Sequence, residues 1–400
     1  MKCARFFPFF LIIAVLAGCG GSSSSSGNTV SKVKTRALVS NSFVSGTTGG
    51  LQIVDYSKNQ ITSFQLGCCA TWTRMLLSSD KTRTYAIEAP PNAPGIGIFS
   101  NATETSLGTM PTSAAISAIT ASTDNKFVYA AVRNGASVES VPGSLEFADT
   151  TATTLSVQAI AVPFASNLAL THNGAKLLMF SDPASASTIA NTVNLVDPVA
   201  KTITALPGPF DRPITAFFST DDTIAYVVNC GAECGGTQAS VSVLDMTKTP
   251  PVITSTVNVA GATVANLDSG TLYVAGNAST GGVLTLLTVN GATVTPSGSP
   301  INIGDGVHQV IAVGNGKIFV GARTCVSAGC LSIVDLNSKA VVVDTQKGDV
   351  TGATPIPNHN TFYVAEGGEL RIYDTTTNQE LVGALVDIVG QAQDVVVIDQ

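Results

Sequence analysis

The chain has 400 residues, and its 20 basic and 27 acidic side chains give a formal charge of −7. This acidic balance argues against nucleic acid or anionic lipid as a binding partner. Only 12% of the residues are charged and 6% are aromatic, so small polar groups must cover much of the surface. Such a composition is typical of exported all-β proteins.

The N-terminus has the pattern of a secretory signal. Lys2 and Arg5 precede an apolar run of 12 residues, 6–17, which is shorter than the roughly 20 residues of a membrane-spanning helix. The next stretch, "LAGC", resembles the bacterial lipobox. This resemblance implies a signal peptide over residues 1–18 and a lipidated Cys19, with palmitate among the acyl groups. The alternative is an ordinary signal with a coincidental cysteine.

Residues 19–35 contain a run of five serines and read as a flexible tether. Removal of the signal leaves 18 basic and 27 acidic residues, so the mature charge is 18 − 27 = −9. In the lipoprotein pattern, Gly20 in place of an aspartate favours the outer membrane, if the cell has one. We therefore predict an envelope protein that contacts the membrane only through its lipid anchor.

Beyond the tether, apolar runs ending in a turn-forming Asp or Asn recur eight times. The terminal residues are Asp55, Asn101, Asp149, Asp197, Asp245, Asn290, Asp335 and Asp374. Each run follows a second apolar run, and in most units a third run and a more apolar fourth run come after it. Four antiparallel strands per unit of 40 to 50 residues are the signature of β-propeller blades.

The repeats also resemble a known sequence pattern, the YVTN-type propeller repeat. "IAYVVN" followed by "VSVLD" is the nearest match, and the resemblance covers roughly residues 36–400. It implies an all-β, single-domain propeller of four-stranded blades, eight by our count, or seven if the irregular third unit is misread. The resemblance implies little about activity, because this scaffold hosts lactone hydrolysis, binding and purely structural roles.

The repeat frame predicts how the ring closes. The first unit begins at Arg36 with its second strand, and the chain ends with an unpaired innermost strand at residues 394–398. We expect these two segments to pair, because pairing removes the unpaired strand edges that an unclosed ring of blades would expose.

Strand alternation sorts the connections onto two faces. With strands labelled A (innermost) to D (outermost), the D–A and B–C connections share one face, and the A–B and C–D turns share the other. The first set, called the loop face below, carries the long and variable loops. His172 and His359 fall in A–B turns on the opposite face. A binding site is therefore expected on the loop face.

Six cysteines fall on the loop face. They are Cys68, Cys69, Cys230, Cys234, Cys325 and Cys330. In an exported chain an even count indicates disulfides, and we favour the pairs Cys230–Cys234 and Cys325–Cys330. Bridging to Cys68 or Cys69 stays open, as does a strained Cys68–Cys69 bond. The C-x3-C and C-x4-C spacings are not those of zinc ribbons, so we assign no metal site.

Few residues on the loop face are of a type that suggests a catalytic or ligand-binding role. The candidates for ligand contact are Trp72, Arg74, Asp211, Arg212, Asp305 and His308. His308 is the one histidine placed to act as a general base near the axis. The alternative is that His308 is a hydrogen-bonded loop histidine with a structural role only. Trp72 either forms a rim with Arg74 or packs between blades.

No catalytic constellation is recognisable, so we predict a monomeric, non-catalytic binding or scaffold module. Its expected partner is an envelope protein or glycan bound at the loop face, and we assign no cofactor. One alternative is a lactonase-like hydrolase or lyase with a divalent metal at the central channel, although the residues near the inner-strand starts are mixed in charge and include few carboxylates. These residues are Arg74, Asn167, Arg212, His308 and Asp394, with Asp211 and Asp305 nearby. The other alternative is a purely structural surface protein.

Overall fold

The computed structural model describes residues 30–42, 49–67, 70–134, 142–152, 154–206, 208–325, 329–383, 386–388 and 390–399, with the backbone alone at 63–65. The signal-like segment, Cys19, Cys68 and Cys69 lie outside these ranges. Within them the strands form eight antiparallel sheets, seven of four strands and one of five. The fold is an eight-bladed β-propeller, which confirms the count made from the repeats.

Blades I to IV comprise the following strands, with the closing strand given last. They are β1 (Arg36–Ser42), β2 (Gly50–Asp55) and β3 (Gln60–Leu66) of blade I; β4 (Thr71–Leu77), β5 (Arg83–Ala89), β6 (Gly95–Ser100) and β7 (Thr105–Pro111) of blade II; β8 (Ile116–Ala121), β9 (Phe127–Val132), β10 (Ser144–Asp149) and β11 (Gln158–Ala161) of blade III; β12 (Ala165–Leu170), β13 (Leu177–Ser181), β14 (Val193–Asp197) and β15 (Thr202–Ala205) of blade IV; and β33 (Gln391–Val397), the innermost strand of blade I.

Blades V to VIII follow the same order from the axis outward. They are β16 (Pro213–Phe218), β17 (Ile224–Asn229), β18 (Ser240–Asp245) and β19 (Val252–Asn258) of blade V; β20 (Val264–Asp268), β21 (Thr271–Ala278), β22 (Gly281–Asn290), β23 (Thr293–Pro296) and β24 (Ile301–Asn302) of blade VI; β25 (Val307–Gly314), β26 (Lys317–Arg323), β27 (Leu331–Asp335) and β28 (Val341–Val343) of blade VII; and β29 (Val350–Pro355), β30 (Thr361–Glu366), β31 (Glu369–Asp374) and β32 (Gln379–Glu380) of blade VIII. In the described part of the chain, the loops carry one short helix, α1 (Ser187–Ala190), and one 3-10 turn (Gly231–Cys234).

The two ends of the chain close the ring. Strand β33 pairs antiparallel with β1, in the register Ala37↔Val397 and Val39↔Val395. This confirms the predicted closing pair, although the strand begins at Gln391 rather than at residue 394. An ion-pair clamp reinforces the closure: Arg36 donates from Nε (2.7 Å) and Nη2 (2.8 Å) to the Asp399 carboxylate, and from Nη1 to Glu104 of blade II (2.7 Å).

Burial explains why the middle strands of each blade were visible in the sequence. All six residues of β17 are buried, as are five of the six in β18, because neighbouring blades cover both faces of the sheet. Such strands read as continuous apolar runs. The outermost strands are more exposed than the middle strands, and all four residues of β15 are exposed, so the apolar pattern of the outermost strands is weaker.

Blade VI departs from the repeat. Its strand β22 is ten residues long and pairs with two successive outer segments, β23 and β24. The outer strand is interrupted between them at residues 297–300, where Gly298 adopts a positive φ of 98°. The repeat pattern did not predict this split.

On the opposite face, side chains join the short A–B turns to one another. Thr123 Oγ1 donates to the carbonyl of His172 (2.8 Å). His172 Nδ1 lies 2.7 Å from Asp222 Oδ1, and the same carboxylate accepts the backbone N–H of His172 at 2.8 Å. These contacts link blades III, IV and V, so the turns of this face have a structural role. Among the described residues, no helix has both the length and the apolar character needed to cross a bilayer.

Candidate functional site on the loop face

Two disulfides staple the loop face. Cys230 and Cys234 are bonded across the 3-10 turn of blade V, and Cys325 and Cys330 across the B–C loop of blade VII, with Cα–Cα distances of 5.7 and 5.5 Å. Both predicted loop-local pairs are therefore confirmed. Each bridge reduces the conformational entropy of a loop before folding.

The stapled loop of blade V is also bound to its neighbour. The Glu233 carboxylate accepts hydrogen bonds from Asn277 N and Nδ2 of blade VI, both at 2.7 Å. Asn277 Nδ2 donates in turn to the Gly306 carbonyl at 2.8 Å, on the connection into blade VII. The loop face is thus connected from blade V to blade VII by side chains as well as by the chain itself.

Arg212 and Asp211 lie in the connection between blades IV and V. Arg212 is 8% exposed, and its guanidinium donates to the carbonyls of Pro183 and Ser185, each at 2.7 Å. Burial acts to raise the pKa of Asp211, but hydrogen bonds from Thr237 and Gln238 outweigh it and lower that pKa. Both candidates border a cavity of about 500 Å³, and their polar atoms largely hold its wall together.

His308 lies in the wall between blades VI and VII. It is 3% exposed, and Nε2 is 2.9 Å from the Gly304 carbonyl. A carbonyl can only accept, so Nε2 carries the hydrogen and Nδ1 is left without a hydrogen bond among the described residues. Burial lowers the pKa of His308, although the charges of Glu233 and Asp305 oppose this. The half-buried Asp305 therefore acts on His308 as a nearby charge, and the imidazole is neutral.

Trp72 packs between blades I and II. The side chain is 4% exposed, and its ring meets Phe99 edge to face with centroids 5.3 Å apart. Its Nε1 donates to the Gly67 carbonyl at 2.8 Å, which satisfies the one polar atom of the indole. The aromatic surface of Trp72 thus belongs to the core shared by the two blades.

β-bulges reshape the innermost strands where they begin at the loop face. Register shifts interrupt the A–B pairing in seven of the eight blades, all but blade VI. A bulge leaves a residue unpaired and re-aims its side chain. The residues at these shifts are Gln393, Thr73, Arg74, Ser117, Ser166, Ile214, Gln309 and Thr351. All but Ile214 are polar.

Most of these bulged residues line one cavity at the mouth of the central channel. It has a volume of about 260 Å³, and its lining comes from the inner parts of blades I, II, III, VII and VIII. Arg74, a predicted candidate, is among the lining residues. So is Arg323 at the end of β26, which the sequence analysis did not identify. The mouth therefore brings together polar side chains that are far apart in the sequence.

Behind the mouth, side chains join neighbouring inner strands. Asp394 of blade I accepts hydrogen bonds from Met75 N of blade II and from Val395 N, both at 2.8 Å. Asn167 makes the equivalent pair in blade IV: Oδ1 accepts from Leu168 N (2.8 Å), and Nδ2 donates to the Ile214 carbonyl of blade V (2.9 Å). In blade I a side-chain carboxylate accepts from a backbone N–H of the next blade. In blade IV a side-chain amide donates to a backbone carbonyl of the next blade.

Desolvation dominates at Asp394. Burial raises its pKa to about 6, against hydrogen bonds from Met75 and Val395 and the charge of Arg74, which act to lower it. Gly352 of blade VIII permits this close packing, because a Cβ there would lie 2.4 Å from Asp394 Oδ1. Among the described residues, no three His, Cys, Asp or Glu side chains form a group that could hold a metal ion.

A buried acidic cluster lies between blades VII and VIII. The Tyr373 hydroxyl contacts Asp344 Oδ2 and lies 2.7 Å from Glu366 Oε2. Lys347 Nζ is 2.7 Å from Asp344 and 5.3 Å from the Tyr373 ring centre. A phenol has one hydrogen and can donate to only one carboxylate, so the other carboxyl must carry a proton.

The surroundings decide which carboxyl is protonated. Burial acts to raise the pKa of Asp344, but Lys347 and Tyr373 outweigh it and lower that pKa. Burial raises the pKa of Glu366 to about 7, with Tyr373 opposing and Asp344 reinforcing the shift. Glu366 is fully buried, and its Oε1 has no hydrogen-bond partner among the described residues. Tyr373 therefore donates to Asp344, and Glu366 is the carboxyl that carries a proton below about pH 7.

Comparison with known proteins identifies the fold and no family. No protein-family model and no curated protein matches the sequence, so the YVTN and lipobox resemblances stay predictions. The chain is similar to the dihydro-heme d1 dehydrogenase NirN in complex with DHE, with a TM-score of 0.65 and 10% identity over 91% of this chain and 75% of that one.

Two further solved structures show the same likeness. A functionally unknown protein from Desulfotomaculum acetoxidans has a TM-score of 0.57 and 11% identity, covering 91% of this chain and 99% of that one. Kuenenia stuttgartiensis hydrazine synthase has a TM-score of 0.53 and 12% identity, covering 77% and 93%. These TM-scores indicate a shared propeller architecture, and at identities this low nothing follows about activity.

The first prediction concerns the two inner-strand bridges. Asp394→Asn should lower the free energy of unfolding by about 1–3 kcal/mol. The side-chain amide has one acceptor oxygen, so either Met75 N–H or Val395 N–H loses its hydrogen bond. The reverse change, Asn167→Asp, sets a carboxylate against the Ile214 carbonyl and should destabilise the protein more at pH 8 than at pH 5. Urea unfolding at both pH values measures this. An Asp394→Asn variant as stable as the wild type would contradict the bridging role.

The second prediction concerns Glu366. Its pKa is raised in the folded protein, so stability is greatest below the unfolded pKa of about 4.5 and declines until about pH 7, by up to about 3 kcal/mol. Glu366→Gln should reduce this loss, because the amide cannot ionise. The control is Asp268→Asn in blade VI, which removes an exposed carboxylate outside this cluster and should leave the pH dependence nearly unchanged. Identical unfolding curves against pH for wild type and Glu366→Gln would refute the assignment.

Proposed function

We propose that this chain is an exported lipoprotein, anchored through Cys19, whose propeller binds a partner in the cell envelope without catalysing a reaction. The signal-like residues 1–18, the lipobox resemblance and the serine-rich tether support export and anchoring. Gly20 supports the outer membrane as the destination. The two disulfides of the loop face support an oxidising compartment.

The observation that carries the binding role is the set of bulged, polar residues at the channel mouth. A closed sheet has no need of bulges at the same end of seven innermost strands, and bulges of this kind gather where a strand must re-aim a side chain toward a site. The scaffold that holds them is rigid, because disulfides and side-chain bridges tie the loops around them. Binding residues are commonly presented in this way.

The partner we propose is an envelope protein or glycan that approaches the loop face of a monomer. The opposite face consists of short turns whose polar groups bond one another, as Thr123, His172 and Asp222 do. These three residues are therefore occupied in holding neighbouring blades together. The loop face carries the open cavities of about 500 and 260 Å³.

Site-specific photocrosslinking in cells tests which face binds. A crosslinking amino acid at Ala232, exposed on the loop face, should capture an envelope component in a discrete product. The matched control is Val199, an apolar residue 87% exposed in a turn of the opposite face, which should give none. Equal products from both positions, or none from either, would count against a loop-face partner.

Substitution of cysteine tests the anchor. Cys19→Ser should remove palmitate labelling and move the protein from the membrane fraction to the soluble fraction, because no acyl chain remains. Cys3→Ser, within the signal-like segment, should leave labelling and fractionation unchanged. Membrane retention of a Cys19→Ser variant without its label would disprove lipid anchoring as the basis of location.

A further inference from the structure

The arginines of this protein divide into two groups. Seven of them lie among the described residues, and five make polar side-chain contacts there. These five are Arg36, Arg83, Arg133, Arg212 and Arg371. The guanidinium groups of Arg74 and Arg323 make no hydrogen bond or ion pair with a described residue, and both side chains are exposed. These two arginines line the same cavity at the channel mouth.

The charge at the mouth is unusual for an acidic protein. The chain has a formal charge of −7, yet the described residues that line this cavity include two guanidinium groups and no carboxylate. The Asp394 carboxylate, which lies outside this lining, is hydrogen-bonded to Met75 N and Val395 N. A guanidinium group presents a fork of donors that matches the oxygens of a carboxylate or phosphate. The mouth is therefore electrostatically suited to an anion.

The other lining residues suit hydroxyl groups. Gln309 and Gln393 each have the side-chain amide held, by the Val350 carbonyl at 2.6 Å and by Ser42 Oγ at 3.3 Å, so their orientation is set before a ligand binds. Thr73 and Thr351 add hydroxyl groups to the same wall. Amides and hydroxyls both donate and accept, as recognition of a polyol requires.

The size of the cavity limits the ligand. A volume of about 260 Å³ corresponds to about nine water molecules at about 30 Å³ each. This space is suitable for one small ring with its substituents, and a longer molecule would extend from the mouth onto the loop face. Ile87 and Ile116 provide apolar surface within the cavity, against which the carbon skeleton of such a ring can pack.

We propose that the channel mouth binds an acidic sugar, with its carboxylate or phosphate group on Arg74 and Arg323 and its hydroxyls on the bulged glutamines and threonines. This inference rests on the proposed binding function and deepens it, because it assigns the glycan partner an acidic residue. The acidic group can be that of a uronic acid or of a sugar phosphate, which have the same anionic oxygen chemistry. Binding here is reversible and involves no covalent step.

Isothermal titration calorimetry on the purified full-length mature protein tests this inference. The probes are glucuronate, glucose 6-phosphate, glucose and inorganic phosphate. At least one acidic sugar should bind at least tenfold more tightly than glucose and inorganic phosphate, and more weakly as salt rises from 50 to 500 mM. The acidic sugar that binds more tightly distinguishes a uronic acid from a sugar phosphate.

Substitutions locate the site. Arg74→Gln and Arg323→Gln should each weaken binding of the acidic sugar at least tenfold. Both variants should still fold and unfold cooperatively on heating, because both side chains are exposed. The matched control is Arg133→Gln, which removes a half-exposed loop-face arginine that pairs with Asp182 outside the cavity, and should change affinity by less than twofold.

Several results would overturn the inference. These are no binding of either acidic sugar, equal binding of glucose or inorganic phosphate, full affinity in both Arg74→Gln and Arg323→Gln, or an equal loss in Arg133→Gln. Crosslinks from Ala232 without anion binding would overturn this inference alone. Anion binding without those crosslinks would overturn the loop-face partner alone.

Discussion

The antiparallel pairing of β33 with β1 is the constraint on which the rest of the molecule depends. It joins the last described strand to the first and converts eight sheets in series into a ring. Without it, blade I would lack its innermost strand, and the β1 edge would stand unpaired. The clamp of Arg36 on Asp399 and Glu104 adds charge-assisted hydrogen bonds at the same junction. Closure in turn fixes where the innermost strands point.

A closed ring brings the innermost strands together at the axis, where each blade meets the next. The structure bonds these strands through polar side chains such as Asp394, Asn167 and Asn266, whose Nδ2 donates to the Ile311 carbonyl of blade VII at 2.9 Å. The adjacent bulges turn other polar residues toward the channel. The same end of each strand therefore serves blade packing and forms the channel mouth.

The candidate residues illustrate how far a single sequence reaches. The loop-local disulfides were predictable, because partners four or five residues apart in an exported chain can meet without knowledge of the fold. His308, Trp72 and Arg212 lie on the predicted loop face, and burial gives His308 and Trp72 the structural contacts that were the alternatives to a binding role. Arg323 was missed, because its importance comes from sharing a cavity with Arg74, nearly 250 residues earlier in the chain. The bulges were also invisible, since one unpaired residue scarcely changes the apolar pattern of a strand.

The sequence by itself determined the all-β class, the eight blades, the closing strand and the sorting of loops onto two faces. Each follows from local information: strand periodicity, turn residues and the strict alternation of antiparallel strands. Only the tertiary structure decided which polar groups are consumed by neighbours and which stay open. That distinction depends on distances between blades remote in the chain, as with the Tyr373 hydroxyl between Asp344 and Glu366. The folded arrangement also places Arg74 and Arg323 at one channel mouth, where neither makes an ion pair with a described residue.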